Sequence, residues 1–189
     1  MQAILHRGRP GLLARLRALL LGEPDVEATD PLADAELVMR RHGSAILRLA
    51  YSYLHEMGEA EDVLQDTLLR YLQKAPSFAS ATHEKAWLLR VAANLSKNRL
   101  SYRQRHPQQE LDENLPIPES NGEESLVWEC VHALPVAYRE VVHLYYYEEY
   151  TTREIAGILG RREATVRSQL FRAREKLRQM LKEEYDFEE

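Results

Sequence analysis

Between Pro107 and Glu129 the chain carries Glu110, Asp112, Glu113, Glu119, Glu123, Glu124 and Glu129 with no lysine or arginine, alongside three prolines and few large apolar residues. A segment with seven negative charges and so little to bury cannot offset the entropy of ordering itself, so it reads as a flexible tether. It splits the chain into two bodies, and each must build its own core. On either side the charge reverses. Lys85, Arg90, Lys97, Arg99, Arg103 and Arg105 occupy Lys85 to His106 without one acid, and from Arg153 to Lys182 nine bases face three acids, so each block stands at +6. The overall charge of −5 therefore hides two cationic modules on an acidic tether, with further acidic runs at Glu23–Glu36 and Glu183–Glu189. The division expected is an extension over 1–30, a first domain over 31–106, the tether over 107–123, a second domain over 124–182 and an acidic tail over 183–189.

With 189 residues, 44% of them hydrophobic, two small cores are affordable. Apolar and polar residues nowhere alternate at strand period for long, and the fold class expected is all-α. In the first module ELVMRRHGSAILRLAYSYLH spaces Leu37, Ile46, Leu47, Leu49, Ala50, Tyr53 and Leu54 for one or two helices around Gly43. Gly58 and Glu59 open a second helix, EDVLQDTLLRYL, with Val63, Leu64, Thr67, Leu68 and Tyr71 inward and Glu61, Asp62, Gln65, Asp66 and Leu69 on the other face. Pro76 ends it. After the loop SFASATHE a third helix is expected from about Lys85 to Arg105, burying Trp87, Leu88, Val91, Ala92 and Leu95 and presenting Arg90, Asn94, Lys97 and Asn98. Such charged faces are most often simply solvated.

The second module is more specific. Pro135 suits a first helical position in PVAYREVVHLYYYEEY, which buries Val136, Val141, Leu144 and Tyr145. Thr151 and Glu154 have capping-box spacing and start the two-turn helix TREIAGIL, which stops at Gly160, a residue free to take positive φ. The final helix buries Val166, Leu170, Ala173 and Leu177 at steps of four, three and four. Ala156, small and four residues before the glycine, lets two helices cross closely in the helix-turn-helix pattern. Arg167, Ser168, Phe171, Arg172 and Arg174 then project outward, and Arg161, Arg162 and Thr165 lie at the helix start that would enter a major groove, where arginine bonds phosphate or grips guanine.

Several chemistries find no support. One cysteine, Cys130, makes no disulfide framework and suits a reducing cytosol. The seven histidines show no ligand spacing, so no metal and no cofactor are expected, and no phosphate loop, nucleophile elbow or carboxylate pair points to catalysis. Arg15 and Arg17 interrupt the apolar start, which reads as a basic amphipathic helix or frayed extension; no stable membrane insertion is expected. Tyr145, Tyr146, Tyr147 and Tyr150 are either core or a base-stacking platform.

Three stretches in order, GEAEDVLQDTLLRYLQKAPSF, EKAWLLRVAANLSKNRL and YTTREIAGILGRREATVRSQLFRAREKL, together resemble bacterial sigma factors of the extracytoplasmic-function group, over roughly Ala35 to Leu181. The resemblance implies a cytoplasmic initiation factor that binds core RNA polymerase, directs it to promoter DNA and helps melt the minus-ten element. It implies polymerase docking by Glu61, Asp62, Gln65, Asp66 and Leu69. Minus-ten contacts fall to Asn94, Lys97 and Asn98, with Phe78 in the loop that walls the flipped base and Lys85, Arg90, Arg99, Arg103 and Arg105 on backbone phosphates. Arg167, Ser168, Phe171, Arg172 and Arg174 match minus-thirty-five positions. The loop SFASATHE lacks the usual glycine and acid, Arg161–Ala164 replaces a more usual Pro/Gly turn, and Gln169 stands where a base is frequent. An anti-sigma protein is implied as a partner that holds or occludes the modules. The other reading is a helix-turn-helix regulator that does not replace the sigma subunit, which would need a sensor or dimerisation domain in place of the first module.

Overall fold

The computed structural model describes residues 31–74, 76–106 and 122–185, and among them every regular element is helical. Helix α1 spans Pro31–Leu54, α2 Met57–Lys74 and α3 Ala81–Arg105; after the tether come α4 (Gly122–Ala133), α5 (Val136–Val142), a π-helical turn (His143–Tyr147), α6 (Thr152–Leu159) and α7 (Glu163–Tyr185). The expected extension over 1–30, most of the tether and the end of the acidic tail lie outside the described residues.

Helix α1 is one continuous helix through Gly43, whose missing side chain faces Met39 and Leu64. It ends where His55 takes a left-handed φ of 57°. Glu56 then does the capping that Gly58 and Glu59 cannot: its carboxylate accepts from the backbone N–H groups of Gly58 (2.6 Å) and Glu59 (2.5 Å), so α2 starts at Met57. Helix α3 starts four residues earlier than its apolar stripe indicates. Ser80 is the N-cap and accepts from the His83 N–H at 3.2 Å, which draws the ATHE segment into the first turn.

Ile46, Leu49, Ala50, Tyr53, Val63, Leu88, Leu89 and Ala92 are at most 1% exposed and form the core of the first three helices. Thr67 and Ser96, also sealed inside, donate back to the carbonyls of Val63 (2.7 Å) and Ala92 (2.9 Å), so no buried hydroxyl is orphaned there. Trp87 and Val91, expected inside, are only half-buried. In the second module Leu134, Val141, Leu144, Ile155, Ile158, Val166, Leu170 and Ala173 are buried, while Val136 and Leu177 are half-buried. Pro135 is the cap residue of α5 (φ −52°, ψ 141°), with Val136 in the first helical position.

The segment PVAYREVVHLYYYEEY is two pieces. Its second half widens into the π turn, with the Glu148 N–H bonded to the His143 carbonyl at 3.2 Å and Glu149 at φ 59°. The wider turn changes which side chains face inward: Tyr146 and Tyr147 are exposed, whereas Glu148 and Tyr150 are buried.

The two modules pack on each other. Helix α1 meets α5 and the π turn, α3 meets α6, and the buried apolar cluster runs through both modules.

Candidate nucleic-acid interface

The α6–α7 corner is built locally. The Thr151 N–H donates to Glu154 Oε2 (2.9 Å) and the Glu154 N–H to Thr151 Oγ1 (3.3 Å), a complete capping box. Hydrogen bonds from Thr151 hold the Glu154 carboxyl below its ordinary range. At the turn Gly160 adopts φ 65°, ψ 39°, the left-handed conformation that favours glycine, and the Arg161 N–H closes it onto the Ala156 carbonyl at 2.9 Å. Thr152 Oγ1 donates to Glu163 Oε1 (2.8 Å), tying the starts of the two helices together.

With Val166, Leu170 and Ala173 inward, α7 exposes Thr165, Arg167, Ser168, Phe171, Arg172 and Arg174 along one face, and Arg162 is exposed just before its first residue. Phe171 is 64% exposed, an unusual position for a phenyl ring. Arg167 pairs with Glu163 one turn back (3.0 Å), and Ser168 Oγ donates to the Thr165 carbonyl (2.9 Å). Arg174 is steered by aromatics: its Nε donates to the Tyr146 hydroxyl (2.8 Å), and its guanidinium lies 5.6 Å and 5.8 Å from the Tyr145 and Tyr146 ring centres. Among the described residues, no ion pair holds Arg162 or Arg172. Arg161 is different. It turns inward to pair with Glu140 and donates to Gln169 Oε1 at 3.1 Å.

The cations of α3 are nearly all engaged. Arg99 donates to Asp62 (3.0 Å) and Asp66 (3.3 Å), and Arg103 reaches Glu59 (2.7 Å) and the Leu54 carbonyl (3.1 Å), so both strap α3 to α2. Lys85, Arg90 and Lys97 reach the second module instead. Arg90 donates to the Gly157 carbonyl of α6, Lys97 pairs with Glu140 (3.0 Å), and Lys85 pairs with Glu148 (2.7 Å). Asn94 and Asn98 are exposed. Phe78 is half-buried beside Tyr71 and Trp87, with ring centres 6.4 Å and 5.9 Å away. On α2, Glu61, Asp62, Gln65 and Leu69 are exposed, Leu69 at 52%, with Asp66 half-covered by Arg99.

Sequence reasoning missed the groups that join the modules. The Glu140 carboxylate, 1% exposed, accepts from the Tyr53 hydroxyl and pairs with Lys97 and Arg161, so α1, α3, α5 and the helix-turn-helix meet at one carboxylate. Burial and the Glu140 charge together push the Tyr53 hydroxyl well above its ordinary pKa. Beside it the Arg139 guanidinium donates to the carbonyls of Ser52 (2.7 Å) and Leu134 (2.8 Å) and to His55 Nε2. That bond leaves the His55 proton on Nδ1, which donates to His132 Nδ1 at 2.9 Å. Burial, Arg139 and His132 lower the His55 pKa to about 4. Glu148 sits among Arg48 (3.2 Å), Lys85 (2.7 Å) and His143 (3.7 Å); burial works to raise its pKa, but these neighbours bring it down to about 2. The signal available in the sequence was two acids, Glu140 and Glu148, on the apolar face of an otherwise buried segment.

A three-helix body with an acidic exposed face, tethered to a capped helix-turn-helix with a basic exposed face, defines a class of two-module DNA-binding proteins. Comparison narrows it. Residues 38–106 match Sigma-70 region 2 and residues 125–177 match Sigma-70, region 4. The chain is 30% identical over 147 residues to the ECF RNA polymerase sigma factor SigM of Mycobacterium tuberculosis, covering 76% of this chain and 75% of SigM. It is 32% identical over 151 residues to SigL of the same species, covering 75% and 85%. Its fold is similar to that of the sigma factor RpoE in the co-crystal structure with the anti-sigma factor NepR from Bartonella quintana, with TM-score 0.66, 25% identity, and 79% and 97% of the two chains covered. The chain belongs to the extracytoplasmic-function sigma factors of the Sigma-70 family.

Proposed function

We propose that this chain is an alternative sigma subunit that binds core RNA polymerase in the cytoplasm, carries it to particular promoters and helps melt them, with no catalysis of its own. The observation that carries the reading is the exposed basic face of α7 on a rigid capped corner, paired in one chain with the acidic and apolar face of α2. Domain limits of 31–106 and 124–182, with 107–123 as tether, suit this division of labour. No helix among the described residues is long and apolar enough to cross a membrane.

In this reading Glu61, Asp62, Gln65, Asp66 and Leu69 dock on the polymerase; a mixed acidic and apolar strip suits a helical partner. Arg162, Thr165, Arg167, Ser168, Phe171, Arg172 and Arg174 contact the minus-thirty-five duplex, and Arg161 supports the turn. Asn94 and Asn98 read the melted minus-ten strand from α3, beside Phe78. Lys97, Arg90, Arg99 and Arg103 hold phosphates there once their present partners release them. RpoE was crystallised with the anti-sigma factor NepR, and the likeness spans both modules; this supports an anti-sigma protein as regulator here too.

Transcription in vitro with purified core polymerase is the test. A sigma subunit confers promoter-specific initiation, and Asn94→Ala lowers open-complex formation more than duplex binding. If core polymerase gains no specific initiation from the chain, the helix-turn-helix regulator takes its place.

A further inference from the structure

The loop between α2 and α3, Ala75 to Ser80, has no glycine and no acid, yet in the reading above it supplies the wall of a pocket for an unstacked base. A wall that reads a base must be in place before the base arrives. Phe78 is the one aromatic residue of that loop, and it is placed from outside it. Its ring stacks on Tyr71 of α2 at 6.4 Å with the planes 11° apart, and meets Trp87 of α3 at 5.9 Å and 59°. Trp87 stands edge-on to Tyr71 at 6.4 Å and 66°, so the three rings close a triangle.

A carboxylate ties this triangle down. The Tyr71 hydroxyl donates to Glu84 Oε1 at 3.2 Å, and Oε2 of the same group accepts from His42 Nε2 at 3.3 Å. The His42 and Glu84 side chains are only 11% and 14% exposed, so water competes poorly for these bonds. Glu84 lies in the first turn of α3, where the helix dipole favours a negative charge. His42 belongs to α1, Tyr71 to α2 and Glu84 to α3. One carboxylate therefore joins all three helices through the ring on which Phe78 stacks.

We propose that Glu84 is the positioning residue of the minus-ten pocket: by holding the Tyr71 hydroxyl it fixes the stacking partner of Phe78, and so sets how sharply the pocket distinguishes one base from another, without itself touching DNA. This rests on the promoter-opening reading above and deepens it by naming what sets specificity. A half-buried phenol that loses its acceptor turns towards other partners, and Phe78 follows it. Asn94 and Asn98 stay where α3 holds them. Loss of Glu84 therefore costs affinity for the right base and not for the wrong ones.

The test uses the full chain bound to core polymerase, and fork-junction probes built on a promoter found by the transcription assay above, with each base in turn at the flipped position. Discrimination is the ratio of the affinity for the best base to that for the poorest. Tyr71→Phe keeps the ring and removes only the hydroxyl. It and Glu84→Ala are each expected to reduce discrimination about fivefold, with affinity for the poorest base nearly unchanged. The double variant is expected to lose no more than either single one, because hydroxyl and carboxylate act as a unit. A merely structural role predicts equal losses on every probe and additive effects in the double variant; either result overturns the proposal, as does full discrimination in Tyr71→Phe. If Glu84→Ala lowers the melting temperature, Tyr71→Phe alone decides. If the wild-type holoenzyme does not distinguish the probes, the promoter-opening reading falls and this proposal with it; if it does and the variants match it, only the role of Glu84 fails.

Discussion

Helices α3 and α7 carry the same net charge in their blocks and the same residue types, yet their cations are in opposite conditions. On α7 and at the residue before it, Arg172 and Arg162 are exposed, and Arg167 and Arg174 are held only loosely by a surface acid and two tyrosines. On α3, Arg99 and Arg103 are tied to α2, while Lys85, Arg90 and Lys97 are tied to the second module. Sequence charge therefore measures binding potential, and pairing decides how much of it is on offer. A surface arginine loses little on moving from water to phosphate. A lysine on a buried carboxylate must first break a strong, poorly screened pair.

That contrast can be broken at its strongest point. Glu140→Ala removes the carboxylate from Tyr53, Lys97 and Arg161 at once and is expected to cost about 3–5 kcal/mol in urea unfolding, because two cations are left around an empty, dry pocket. A loss below about 1 kcal/mol would mean that the closed arrangement is not held there. Next in size, Arg172→Ala should weaken binding to a minus-thirty-five duplex by about 1–3 kcal/mol, while Arg99→Ala leaves that duplex affinity unchanged. Fluorescence anisotropy with the two variants side by side reads the difference directly; equal losses would erase the distinction between the helices. Gly160→Ala should destabilise the second module by about 1–2 kcal/mol, since a Cβ at φ 65° is strained whatever the space. Thr151→Ala should cost about 1 kcal/mol, through the lost cap. Thermal melts of the chain rank these two.

The smallest effect is in acid. His55 is neutral in the fold, with its pKa lowered to about 4, so its contribution is complete above the ordinary histidine value near 6.5 and is lost as pH falls from about 6.5 towards 4. Protonation would set a charge against Arg139. Glu148, lowered to about 2, has the same sign in a later window: its stabilisation is present above the ordinary carboxylate range and lost as pH falls from about 4.5 to 2. Module separation followed against pH should therefore increase first below about 6.5 and again below about 4.5. His55→Gln should shrink the first step to the share of His132, whose pKa burial and Arg139 also lower, and keep the second.

What the amino-acid order determined by itself is local. Val166, Leu170 and Ala173 at helical steps, Gly160 at a turn and Thr151 three residues before Glu154 each act within one or two turns of chain, and the structure repeats them because i to i+4 contacts form in any compact context. Helix starts followed the same rule only when the capping group was noticed: Ser80 and Glu56, not the apolar stripe, set where α3 and α2 begin. The docking of one module on the other was decided by tertiary structure alone. Glu140 meets Tyr53 across 87 positions and Arg48 meets Glu148 across 100. No periodicity carries such pairs, since which acid finds which base depends on how two finished surfaces fit and on burial that strengthens each pair by excluding water.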